Sequence, residues 1–293
     1  MKLSAKYSRQ QFPLRAQSRR GHQALTELRR IGFNGVQFDI RSLSESTERN
    51  AKLRRLLADL GLVASVHSDA ETLAETFMKK GVQEDTYRSM RKAIDIAVQV
   101  DSSSFSFHPP MWKSPLVGKH LLKAQAGFLQ FTNRLRDYAK IHNLDLALES
   151  YCYRPFIVSG ISEFMNLVRE VADLNILLEL GHLHQAGLDP LAAIRAFGSR
   201  LIDVHVHDAM KGGDYRTHTH LPIGRGEIDF ANVLRSLRKI HYEKWLTLEI
   251  VGTMGDLVRS YELLKDVLDE TATLPASSSL ENRINAAAQK RTT

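Results

Sequence analysis

The segment NILLELGHLHQAG (175–187) opens as an apolar run and then places Glu179, His182 and His184 close together. A carboxylate and imidazoles at the end of a buried run are costly unless they are paired, hydrogen-bonded or bound to a cation. The pattern recurs in LIDVHVHDA (201–209), which carries His205, His207 and Asp208. DLALES (145–150) ends on Glu149, and WLTLEIVG (245–252) carries Glu249. Three earlier runs finish alike: GVQFDI with Gln37 and Asp39, LVASVHS with His67, SFSFHP with His108. Apart from the Gln37 amide, these are the side chains that move protons near neutral pH and that ligate divalent metals.

Each of these groups closes a short β-rich stretch. Together with KLSAKY (2–7), the runs at 35–40, 62–68, 104–109, 145–150, 175–181, 201–209 and 245–252 make eight predicted strands. Between them lie amphipathic segments such as TERNAKLRRLLADL and FANVLRSLRKIH, whose apolar residues recur at helical spacing. Eight strand-then-helix units predict an α/β fold, a single (β/α)8 TIM barrel, in which catalytic groups project from the C-terminal ends of the strands. A doubly wound open sheet is the alternative, but no glycine fingerprint follows KLSAKY. No internal linker interrupts residues 1–270, which are expected to form one catalytic domain. Residues 271–293 are polar and small, a flexible tail with a short helix expected at SLENRINAAAQK.

Taken singly, each polar residue has a structural explanation. His67 and His108 read as hydrogen-bonded core histidines and Asp39 as a cap. Within the pairs His182/His184 and His205/His207, at most one member is expected to face inward. The conjunction of Glu149, Glu179, His205 and Glu249 on one rim is different: three carboxylates with no guanidinium assigned to them call for a divalent cation. Mixed carboxylate and imidazole ligands suit Mn²⁺ or Co²⁺, with Mg²⁺ or Zn²⁺ as alternatives. The loop after the seventh strand adds His218 and His220 ahead of IGRG; they read as metal ligands, substrate contacts or loop residues. Asp229 reads as a helix cap, and Lys211 and Arg225 as candidates for holding a phosphate.

The chain has 293 residues, 43% hydrophobic and 25% charged, an ordinary globular composition with no run long enough to span a membrane. Cys152 is the single cysteine, which excludes internal disulfides and, with no secretory signal at the start, predicts a cytoplasmic protein. The net charge of +7 favours anionic partners, though the basic residues fall on several helix faces.

LELGHLHQAG, HVHDA…HTHLPIGRGEIDF, LTLE and the LES of the fifth strand resemble the xylose-isomerase-like TIM-barrel superfamily, which includes sugar and sugar-phosphate isomerases and epimerases and endonuclease IV-type AP endonucleases. The resemblance runs from Lys2 to Leu268 and is most specific over 145–250. For the epimerase branch it implies one divalent metal held by Glu149, Glu179, His205 and Glu249, with Glu149 and Glu249 also serving as acid and base. It implies a substrate contact for His182, and His67, His108, His220, Lys211 and Arg225 are the further candidates around a small sugar or sugar phosphate. His218 and His220 are candidates for an additional metal. Barrels of this type often pair as homodimers. Two departures stand out: the family usually has aspartate where this chain has Glu179, and many relatives carry glutamate at Gln37. The nuclease branch would use three zinc ions on His67, His108, Glu149, Glu179, His182, His205, His218, His220 and Glu249. Its flanking residues and DNA-inserting loops are not evident, so sugar chemistry is the preferred reading and nucleic acid the disfavoured partner. A keto-sugar-binding or lyase-like barrel is a third alternative.

Overall fold

The computed structural model describes residues 1–7, 15–68, 72–113, 115–150 and 156–273. Eight parallel strands close into a barrel in sequence order. They are β1 (Lys2–Tyr7), β2 (Gly35–Asp39), β3 (Val63–Ser68), β4 (Ser102–Phe107), β5 (Asp145–Glu149), β6 (Asn175–Glu179), β7 (Leu201–Val206) and β8 (Trp245–Leu248). The helices are α1 (Arg19–Ile31), α2 (Thr47–Leu60), α3 (Lys80–Gln99), α4 (Gly118–Ile141), α5 (Ile161–Glu170), α6 (Leu180–Gln185), α7 (Pro190–Phe197), α8 (Tyr215–His218), α9 (Phe230–Lys239) and α10 (Met254–Thr273). The predicted strand ends run too far at 181, 209 and 252. The residues after β6 enter α6 at once, and those after β7 and β8 form the rim loops.

Two-residue alternation sorts the strands into an outward apolar face and an inward polar one. Val36, Phe38, Val66, Phe105, Leu146, Leu148, Ile176, Leu178, Val204, Leu246 and Leu248 are buried in the main core. Inside the barrel the polar side chains stand above a small separate cluster of Ala147, Leu177 and Ile202. Caps fix the helices that follow. Ser18 accepts from Gly21 N at the start of α1, and Asp229 accepts from Asn232 N at the start of α9, the role its sequence position predicts.

The last helix continues three residues past the expected boundary at 270. The remainder of the tail, its expected short helix and Cys152 lie outside the described residues. No helix among the described residues is long and apolar enough to cross a membrane.

Candidate active site

The strand register places the chemistry. Glu179 on β6 pairs with His205 on β7, and His205 pairs with Thr247 on β8. His205 Nδ1 lies 2.8 Å from Glu179 Oε2 and 2.6 Å from Glu249 Oε2. Ligating atoms of Glu149, Glu179 and His205 all fall within 4.8 Å of one another. The structure thus gathers the four rim residues that the sequence singles out. Burial works to raise both carboxyls, yet their partners outweigh it. His207 and His205 hold Glu179, and Lys6 and His205 hold Glu249, well below the usual carboxylate range.

A second group shares Glu149. His67 Nε2 and His108 Nε2 are 3.2 Å apart, and they lie 3.3 and 3.1 Å from Glu149 Oε2. Three ligand atoms each about 2.1 Å from one centre and about 100° apart are separated by about 3.2 Å, so the triangle has the size of a metal's ligand face. Glu149 Oε2 is buried and takes no hydrogen bond. Burial keeps the His67 ring well below its ordinary pKa and therefore neutral, with Nδ1 seated 2.9 Å from Ser106 Oγ. Two imidazole nitrogens and a carboxylate oxygen this close together are a donor set that could hold a cation. His67 and His108, which individually read as hydrogen-bonded core histidines, make such bonds and also share this face with Glu149.

His207 overturns the expectation that one histidine of its pair faces away. Residues two apart on a strand share a face, so His205 and His207 both turn inward, and both rings are fully buried. The backbone N–H of His220 donates to His207 Nδ1 at 2.8 Å. That nitrogen therefore accepts, and the ring proton sits on Nε2, which donates to Glu179 Oε1 at 2.6 Å. Nδ1 also lies 3.1 Å from Asp208 O, and although burial lowers the His207 pKa, Glu179 more than offsets it. Both nitrogens are thereby committed. Although His182, His207 and His220 cluster closely enough for a metal, His207 has no lone pair to give one. Gly181 is what admits the ring: a Cβ there would come within 1.8 Å of His207 Cε1. Gly181→Ala is expected to displace His207 and cost about 1–3 kcal/mol by overpacking, measurable as a lowered urea midpoint.

Lys6 is a site residue that sequence reading missed. It stands on the inner face of β1, 3% exposed, with Nζ 3.4 Å from Glu249 Oε1. Its signal was available: Ser4 and Lys6 alternate in KLSAKY between residues that face the core. Burial alone would lower its pKa, but Glu249 leads a set of carboxylates that raises it, so the ammonium stays charged. Burial also pushes the Asp39 carboxyl up, against the pull of Lys6. Lys6→Met is expected to destabilise the metal-free protein by about 2–3 kcal/mol, toward the low end for a broken buried pair because Glu249 keeps His205 and is 23% exposed. Urea denaturation at pH 7 checks this; unchanged stability would mean that Lys6 is not the counter-charge.

Residues 25–267 match the family described as xylose isomerase-like TIM barrel. The chain belongs to this family. It is 25% identical over 209 residues to the uncharacterized protein MJ1311 of Methanocaldococcus jannaschii, covering 70% of this chain and 69% of that one. A D-tagatose 3-epimerase-like protein of known structure is similar with a TM-score of 0.78 and 20% identity, over 93% of this chain and 98% of that one. D-Psicose 3-epimerase of Clostridium cellulolyticum H10, solved with D-tagatose, gives a TM-score of 0.74 at 14% identity, over 92% and 99%. At such identities the likeness to solved structures establishes the fold.

Within this xylose isomerase-like barrel the remaining candidates separate. His182 and His220 line the same rim with ring centroids 4.9 Å apart, and burial keeps both below their ordinary pKa. His218 stands apart on α8, its Nδ1 engaged with Thr217 Oγ1 and Asp214 O. Lys211 is exposed, and Arg225 is tied to Asp256 at 3.0 Å, so neither joins the buried clusters. His184 approaches Glu227 at 3.6 Å, away from Glu179. Asp208 serves the architecture of the rim. Its carboxylate accepts from Ala209, Gly224 and Ile228 N–H groups and folds the IGRG loop. Gly226 packs against that carboxylate, where a Cβ would meet Asp208 Oδ1 at 2.4 Å.

Proposed function

We propose that this chain is a divalent-metal-dependent isomerase or epimerase of sugars or sugar phosphates. The observation that carries the reading is the convergence of Glu149, Glu179, His205 and Glu249 at one mouth of the barrel. These four would hold one Mn²⁺ or Co²⁺ ion, which when bound would polarise a substrate carbonyl and stabilise the charge of an enediolate. Glu249, kept ionised by Lys6 and His205, is the base suited to take a proton from the carbon beside a ketone. Glu149 arrives on β5, three strands away, and is the carboxyl that would exchange the proton on the other face. Return to the same carbon from that face inverts it, and return to the neighbouring carbon isomerises. Neutral His182 and His220, packed beside these groups, are suited to hold substrate hydroxyls.

The test is a panel of free and phosphorylated ketoses incubated with Mn²⁺-loaded protein in deuterium oxide. Solvent deuterium entering at the carbon beside the carbonyl supports the reading; none across the panel overturns it.

The His67–His108–Glu149 triangle favours one second reading, a multinuclear zinc phosphodiesterase of the AP endonuclease kind. His218 weighs against it: that reading needs its ring beside His182 and His220, and it is engaged on α8 with Thr217 and Asp214 instead. Metal analysis separates the two. About one Mn²⁺ or Co²⁺ per chain is expected; about three zinc ions, with chelator-sensitive cleavage of an abasic-site duplex, would reverse the order.

A further inference from the structure

Beneath the proposed cation site runs a chain of hydrogen bonds whose direction is fixed at one end. Asp203 is buried on β7, and its Oδ1 accepts from Val204 N–H at 2.8 Å. Thr247 Oγ1 lies 2.8 Å from its Oδ2 and 2.9 Å from its Oδ1. Gln37 Nε2 donates to Asp203 Oδ2 at 3.0 Å. An ionised Asp203, which accepts from Val204 N–H and Thr247 as well, sets the direction of the amide: turned over, Gln37 would place its carbonyl oxygen against the carboxylate. Gln37 Oε1 consequently faces His205 Nε2, 2.7 Å away, and an amide oxygen accepts but cannot donate. His205 Nε2 must carry the proton. The nitrogen left to face Glu179 and Glu249 is Nδ1.

We infer that Gln37 and Asp203 are positioning residues: through the Gln37 amide, the Asp203 carboxylate keeps the proton on His205 Nε2 and reserves Nδ1 for the cation. The inference rests on the proposed metal site, to which neither residue supplies a ligand: Gln37 acts on it through His205, and Asp203 through Gln37. It gives Gln37 a physical reason to be an amide. A carboxylate at this position could still accept from His205 but would oppose Asp203, whereas an amide answers an acceptor on one side and a donor on the other. A hydrogen-bond partner behind a ligating histidine fixes the tautomer and the ring orientation, and losing such a partner typically lowers metal affinity about 10–100-fold.

The test compares Gln37→Leu, Gln37→Glu and the double variant Gln37→Glu/Asp203→Asn with the unmodified protein. Calorimetric titration with Zn²⁺ gives the affinity, and ¹⁵N–¹H correlation of the His205 ring identifies the protonated nitrogen, with and without zinc. Gln37→Leu is expected to lose affinity about 10–100-fold, and Gln37→Glu is expected to lose affinity as well. The double variant exchanges amide and carboxylate: the amide now at position 203 would donate to the carboxylate now at position 37, which would accept from His205. It should recover affinity to within about threefold of the unmodified protein, a rescue that loss of packing at Gln37 would not produce. The Nε2 proton should persist in the metal-free protein and remain when zinc binds Nδ1. A bare Nε2, zinc bound through Nε2, or no rescue in the double variant overturns the inference. An unmodified protein that takes up no divalent metal would overturn the proposed function instead, and the ring spectra of the metal-free protein would still show whether Nε2 carries its proton.

Discussion

Glu249→Gln lowers the rate of solvent deuterium entry into a ketose substrate about 10²- to 10⁴-fold, the range contributed by a positioned acid or base. Glu249 is the carboxylate that Lys6 and His205 both stabilise in its charged form, and an amide cannot take a proton at any accessible pH. Glutamine preserves the shape and can still accept from Lys6, so the fold should survive and the loss should lie in the chemistry. Glu149→Gln should fall as far, since proton return needs the partner carboxyl. Exchange followed by proton NMR decides the matter. Exchange within about tenfold of the unmodified protein in either variant would remove that residue from acid–base work, whatever its part in holding metal.

The second large effect is expected at Glu179. On sequence grounds alone, aspartate is the usual residue of the family, so Glu179→Asp should retain or raise metal affinity. The structure argues for the reverse. Glu179 uses both oxygens, Oε1 on His207 Nε2 at 2.6 Å and Oε2 toward His205 at 2.8 Å, and neither ring is exposed. Removing a methylene retracts the carboxylate by about 1.5 Å, more than a hydrogen bond tolerates. Losing one charge-assisted hydrogen bond costs about 1.5–3 kcal/mol, which corresponds to at least tenfold weaker metal binding if the cost falls on the loaded site. Titration calorimetry with Mn²⁺ reads it directly. An affinity that rises would mean that glutamate at 179 is a drift from aspartate, and that His207 follows it passively.

The two variants probe different things. Glu249 concerns charge at a reacting position. Glu179 concerns the reach of a side chain whose surroundings, Gly181 and His207, are cut to its length.

How much of this was legible beforehand varies by residue. Strand period and helix spacing in the sequence predict the barrel, because an inward or outward side chain is a property of a residue's place in its own strand. The same local rule put Glu149, Glu179, His205 and Glu249 at strand ends. It also held the signal for Lys6 and for the shared face of His205 and His207, which a reading of isolated residues passed over. His218 shows the opposite limit. A histidine two residues before His220 looks equivalent in sequence, yet the short turn of α8 commits its ring to Thr217 and Asp214.

By itself, then, the sequence determined the eight-fold strand–helix alternation, the rim on which polar groups gather, and the surplus of carboxylates there. Only the tertiary structure decided how those groups divide. It joined His67 and His108 to Glu149, spent both nitrogens of His207, gave Glu249 a buried ammonium, and ran Asp203 through Gln37 to His205 across 166 and 168 residues of chain. The reason is physical. Backbone periodicity is a local matter, whereas a hydrogen bond's direction and a charge's partner depend on atoms that only barrel closure brings together.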